Sequence, residues 1–155
     1  MCEDRAVMSK QSHLIHHIMD GSQLLAIVVR RDYKVEGIKF LTPGHFSQQL
    51  GFMGHPKGHV IEPHVHLEVP REVQLTKEVI LIRSGRVRID FYCQKKKYIE
   101  SSILHAGDIV LLAFGGHGFE MLEESEIIEV KQGPYAGDTD KLRFNGVKID
   151  DVVIK

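Results

Sequence analysis

Two histidines one residue apart, His64 and His66, stand within residues 58–85, and Glu78 opens the apolar run Val79-Ile80-Leu81-Ile82 of the same stretch. On an extended strand alternate side chains point to one face. Both imidazoles would then point the same way, roughly 7 Å apart. A carboxylate at the start of a neighbouring strand can be a third ligand. His117, between Gly115-Gly116 and Gly118, can be a fourth, because glycines let a strand bend and a backbone approach closely. Three imidazoles and one carboxylate suit Fe, Mn, Ni, Co, Cu or Zn and do not suit Ca²⁺, which takes oxygen ligands. One divalent transition metal is the expected cofactor.

The elements that must position these side chains read as strands. Residues 24–30, 33–41, 46–53, 60–66, 78–83, 86–92, 99–104, 109–113, 117–122 and 126–131 are short, β-rich or alternating, with turn signals between them. No stretch sustains helical periodicity. The pattern predicts an all-β antiparallel sandwich or barrel. Residues 1–20 form an N-terminal arm or edge strand, 21–131 the barrel, and 132–155 a tail in which Asn145-Gly146 could close a hairpin. His13 and His17 would share a face of a helix, but no carboxylate motif accompanies them.

Composition narrows the function. The chain has 155 residues, which favours one domain, and a formal net charge of -1, which gives no electrostatic case for nucleic acid or an anionic membrane. Lys95-Lys96-Lys97 reads as a solvated hairpin tip. Two cysteines, Cys2 and Cys93, are too few for a disulfide framework and fit free thiols in a reducing cytoplasm. Neither a secretory h-region nor a spanning apolar run is visible.

The two site-bearing stretches resemble the two motifs of the cupin superfamily. Gly58, five residues, His64-Val65-His66, a spacer, Glu78, six residues and Gly85 follow the first motif. Gly107, five residues, Ala113, Gly115 and His117 follow the second. The resemblance implies a small single-domain cupin: a cupin-type antiparallel β-barrel, or double-stranded β-helix (jelly roll), with little helix. Its implied ligands are His64, His66, Glu78 and His117. The chain departs from the pattern in three places. Residues 67–77 make a spacer much longer than is usual, Ala113 replaces the usual proline, and His117 comes one residue early. The long spacer leaves Glu68, Glu72 and Gln74 as rivals to Glu78, although Glu78 alone keeps the six-residue distance to Gly85.

Such an ion keeps open positions and net positive charge, which favours an anionic or enolate-like ligand. The resemblance implies a metal-dependent enzyme of dioxygenase or isomerase/epimerase type on a small polar, anionic or carbohydrate-like molecule. The alternatives are a non-catalytic metal-dependent binding protein and a barrel whose metal is only a staple. No catalytic residue is assigned. Candidate substrate-binding residues are Gln74, in a spacer that with Arg71 could form a lid; Glu129 and Lys131, which share a strand face by parity; and Tyr135, after Gly133-Pro134. Gln48 and Gln49 sit on opposite faces of one expected strand, so one could point inward. Family habit implies a homodimer in which the N-terminal strand joins the partner's sheet.

Overall fold

The computed structural model describes residues 11–134, 136–137 and 139–155. The described chain is all-β, its only helical turns being two three-residue 3₁₀ turns, Ser12–Leu14 and Ile149–Asp151. It falls into two compact units. The larger comprises residues up to Tyr33 and Thr76–Lys155; the smaller is Lys34–Leu75.

The larger unit contains β1 (Ile15–Asp20), β2 (Gln23–Val29), β5 (Glu78–Ser84), β6 (Arg86–Tyr92), β7 (Tyr98–His105), β8 (Ile109–Leu112), β9 (Gly116–Met121) and β10 (Glu126–Lys131). They form a five-stranded sheet in the order β1-β2-β8-β5-β10 and a three-stranded sheet in the order β7-β6-β9. Every pairing between these strands is antiparallel. The sheets are not closed into the expected barrel. Among the described residues β10 and β9 each end a sheet, and no strand lies along their outer edges.

Period-two alternation builds the core between the sheets. Ile18, Ala26, Val28, Ile80, Ile82, Val110 and Leu112 of the larger sheet pack against Val87, Ile89, Phe91 and Leu104 of the smaller. Phe91 is the largest fully buried side chain. Each aliphatic group buried there contributes about 1.5–3 kcal/mol. β2 and β8 are buried on both faces, so they read as continuous apolar runs rather than as alternation.

Gly85 turns β5 into β6 at φ +82, and a Cβ there would run into Ser125 and the Glu124 carbonyl. Gly115 stands at φ +76 just before β9, against the Tyr92 carbonyl. Only glycine takes these conformations without strain. Two motif positions are thus fixed by turns rather than by ligand contact.

The outer face of the three-stranded sheet carries a polar network under the C-terminal tail. Arg88 donates twice to Asp90, at 2.9 and 3.1 Å, and its Nη1 reaches Glu120 at 2.7 Å. The tail is tied down by Tyr98, which accepts from the Val153 amide at 2.9 Å, and by a parallel bridge between Ser101 and Ile154. The hairpin expected at Asn145-Gly146 does not form. Gly146 lies instead against the Tyr92 hydroxyl, which accepts from the Val147 amide at 2.9 Å. The helix uniting His13 and His17 is also absent: His13 is in the 3₁₀ turn and His17 in β1, where its side pairing with β2 makes β1 the sheet's own edge.

The smaller unit holds one hairpin, β3 (Gly37–Phe40) and β4 (Gly51–Gly54). The two strands are shorter than residues 33–41 and 46–53 suggested. Gln49 explains the lost length: its amide donates to the Pro43 and Phe46 carbonyls and its oxygen accepts from Thr42, holding 42–49 as a folded loop. The strand expected over 60–66 is not formed either, and residues 59–74 have no regular secondary structure. Pro63 and Pro70 remove two ladder donors from this stretch.

Candidate metal and ligand site

Glu78 is the first residue of β5 and faces the core side of its sheet. The register sets it in one row with Lys131, Leu112, Ala26 and Ile18. It is only 7% exposed. His117, on β9, shares a row with Phe91 and Glu100 on the core face of the other sheet. Its Nε2 lies 3.1 Å from Glu78 Oε2. The hydrogen bond from His117 holds the Glu78 carboxyl below its ordinary value. Burial opposes this, and the charges of His117, Lys141 and Lys131 assist it. A carboxylate from the first motif and an imidazole from the second thus meet across the sandwich.

The register also places the residues of β10. Lys131 stands beside Glu78 and Glu129 beside Ile80, so both lie on Glu78's face. Lys131 is half-buried and Glu129 exposed, because β10 is an edge strand. Opposite, His117, Phe119 and Met121 share the core face of β9. The His117 and Phe119 rings meet edge to face with centroids 5.5 Å apart. The open side of the sandwich therefore offers an anion–imidazole pair, cationic side chains and an apolar wall. Lys141 and Phe119 were not legible as site residues, since neither belongs to a motif.

His64 and His66 lie in the smaller unit, exposed, with ring centroids 5.3 Å apart and planes at 78°. They approach each other without a strand to align them. His64 Nδ1 is 2.9 Å from the Glu62 carbonyl oxygen. A carbonyl only accepts, so Nδ1 carries a proton in this contact.

Among the rival residues, Gln74 donates to Glu72 at 3.0 Å, and Glu68, Glu72 and Gln74 are all exposed, as is Arg71. Gln49 is occupied in its own loop, whereas the Gln48 Oε1 is buried with no hydrogen-bond partner. Tyr135 lies outside the described residues. Among the described residues, no three His, Cys, Asp or Glu side chains gather closely enough to hold an ion. Within the larger unit Glu78 meets His117, and within the smaller the His64 and His66 rings meet.

A second His–Glu contact, outside any motif, joins the opposite edges of the sandwich. His16 Nε2 on β1 is 3.1 Å from Glu100 Oε1 on β7, and Lys155 Nζ is 2.8 Å from Oε2. Oε1 is nevertheless buried without a hydrogen bond, so the imidazole approaches it off the bonding direction.

Comparison with protein-family models, curated proteins and solved structures gives no match to this chain. No helix of the described residues is long and apolar enough to cross a membrane.

Proposed function

We propose that the chain is a divalent-metal-binding protein of cupin type, a jelly-roll sandwich whose ligands are His64, His66, Glu78 and His117. The observation that carries this reading is the Glu78–His117 contact. Two residues 39 apart in sequence (117 minus 78), each the ligand position of its own motif, are brought to 3.1 Å on the core faces of two sheets. The donor chemistry fits a transition metal: a carboxylate whose pKa is lowered with an imidazole at its side, and two further imidazoles close together in residues 64–66.

The proposed activity is metal-dependent enzymology of dioxygenase or isomerase/epimerase type on a small polar, anionic or carbohydrate-like molecule. The ion would supply Lewis acidity there. The chain's own residues supply the rest. Lys131 and Lys141 place positive charge near Glu78, which favours an anionic ligand. Phe119 and Met121 give the flank of a sugar ring or carbon chain an apolar surface to lie against. Glu129, exposed on the same face, is placed to accept from ligand hydroxyls. Non-catalytic binding uses the same groups and is separated by turnover.

Elemental analysis of protein grown without added nickel or zinc tests the reading. One ion per site in the wild type and none in His64→Ala/His66→Ala, with unchanged far-UV circular dichroism, supports it. Undiminished metal in the double variant refutes the ligand set. Turnover of sugar phosphates or diketones by metal-loaded protein then decides between enzyme and binder.

A further inference from the structure

Residues 153–155 lie along the outer edge of β7, an end strand of the three-stranded sheet, and run parallel to it. The Ser101 amide donates to the Val153 carbonyl at 2.8 Å, and the Lys155 amide to the Ser101 carbonyl at 2.9 Å. The Tyr98 hydroxyl meets both the amide and the carbonyl of Val153, at 2.9 and 3.2 Å. The Ser102 hydroxyl donates to the Lys155 carbonyl at 3.3 Å, and Lys155 Nζ lies 2.8 Å from Glu100 Oε2. The edge thus bonds the backbone of its occupant and reads one side chain by charge. The aliphatic side chains take little part, since Val153 is 51% and Ile154 46% exposed.

The resident lysine leaves the charge site half used. Glu100 is only 5% exposed, and its Oε1 is buried with no hydrogen bond, because His16 Nε2 stands 3.1 Å away outside the bonding direction. An ammonium is a point donor, whereas a guanidinium is a planar fork that bonds both oxygens of a carboxylate. The orphaned Oε1 beside the bonded Oε2 matches the second prong of that fork. The usable edge is also short. Further along β7 the Ile103 carbonyl accepts from Arg30 at 2.7 Å, and the His105 amide donates to Asp108 at 3.0 Å. A full strand from a second copy would need those groups; a short extended peptide does not.

We infer that the outer edge of β7 around Ser101 is a binding site for an extended peptide carrying an arginine, and that residues 153–155 are its built-in competitor. The peptide adds as a short parallel strand, with its backbone on Ser101 and Tyr98 and its guanidinium on both oxygens of Glu100. Residues 153–155, being tethered, compete at an effective concentration of roughly millimolar, so a partner enters only when the Lys155 contact is given up. The metal plays no part in this site.

Fluorescence anisotropy tests it with a labelled, amide-capped peptide that has the sequence of residues 150–155 with arginine in last place. Lys155→Ala, which removes a half-exposed side chain, should bind this peptide at least about tenfold more tightly than the wild type does. The same peptide ending in lysine should bind about fivefold more weakly, and one ending in alanine should not bind measurably. Glu100→Gln in the Lys155→Ala background should lose the arginine preference. If that variant fails to fold, the alanine peptide makes the same comparison in folded protein. In the full chain, Lys155→Arg should slow hydrogen exchange of the amide at position 155 several-fold, because the fork engages the second oxygen. Binding to Lys155→Ala no tighter than to the wild type overturns the proposal, as does equal binding of the arginine and alanine peptides. Dimerisation of Lys155→Ala in light scattering would give the edge to a second copy and overturn it too.

Discussion

Glu78 and His117 belong to different sheets, yet Oε2 of one lies 3.1 Å from Nε2 of the other. Buried Phe91 shares His117's row, and at the row's far end Glu100 approaches His16 at the same distance. An acid and an imidazole therefore face each other at both edges of the sandwich. At the β1–β7 side the Lys155 ammonium joins the pair; at the β9–β10 side the pair opens towards Lys131 and Lys141.

The motif-one carboxylate can be located by competition between acids. Glu78→Gln should lower metal affinity on the order of tenfold or more, while Glu72→Gln, whose carboxylate is exposed and bonded to Gln74, should change it less than twofold. Isothermal titration with Mn²⁺ or Zn²⁺ reads both. The reverse order would move the ligand into the spacer.

The same pair should shape acid stability in the metal-free protein. The folded pKa of Glu78 is depressed below 4.5. Its contribution is thus fully present above that value and lost as pH falls through the folded pKa. Glu78→Gln should flatten this acid limb in urea melts, with little difference in slope above pH 5. At neutral pH His117→Ala should cost about 1–3 kcal/mol, because it leaves a buried carboxylate oxygen unpartnered. An unchanged acid limb in Glu78→Gln would show that the pair carries no such linkage.

Tyr92 gives the opposite sign at the alkaline end. Burial raises its phenol above the ordinary 10.0, against the bond it accepts from Val147. The neutral phenol is favoured in the fold, so its contribution is present below pH 10 and lost as pH rises through the higher folded value. Ultraviolet titration at the phenolate band should show one late-ionising tyrosine, absent in Tyr92→Phe. Its persistence in that variant would assign the shift elsewhere.

Removing one partner of the network under the tail should be costly. Arg88→Met leaves Asp90 buried with only Ser101 to bond it, an expected loss of about 3–5 kcal/mol in chemical denaturation. The double variant with Asp90→Asn should recover part of it. Equal losses in the single and double variants would mean that the charges are not coupled.

Gly85→Ala tests whether a motif glycine serves the turn. With φ at +82 and Ser125 and Glu124 in the way, the substitution should cost about 2 kcal/mol or more in a thermal melt. A neutral effect would mean that the β5–β6 turn can be remade.

The sequence by itself determined the all-β class and most strands of the larger unit. Arg86–Tyr92 and Glu126–Lys131 have the bounds their alternation predicts, Glu78 opens β5 as expected, and Gly116–Met121 follows the turn that Gly115 marks. Alternation is a local property, set by which face of each strand meets the core, so it is written residue by residue. The sequence also fixed that Glu129 and Lys131 share a face. Only the register of β10 on β5 decided that this is Glu78's face, because register depends on a partner strand more than forty residues away. The same holds for an expected strand that does not form. Residues 60–66 read as an extended strand and form none, since a strand needs a neighbour to receive its backbone bonds, and local sequence does not say where that neighbour is.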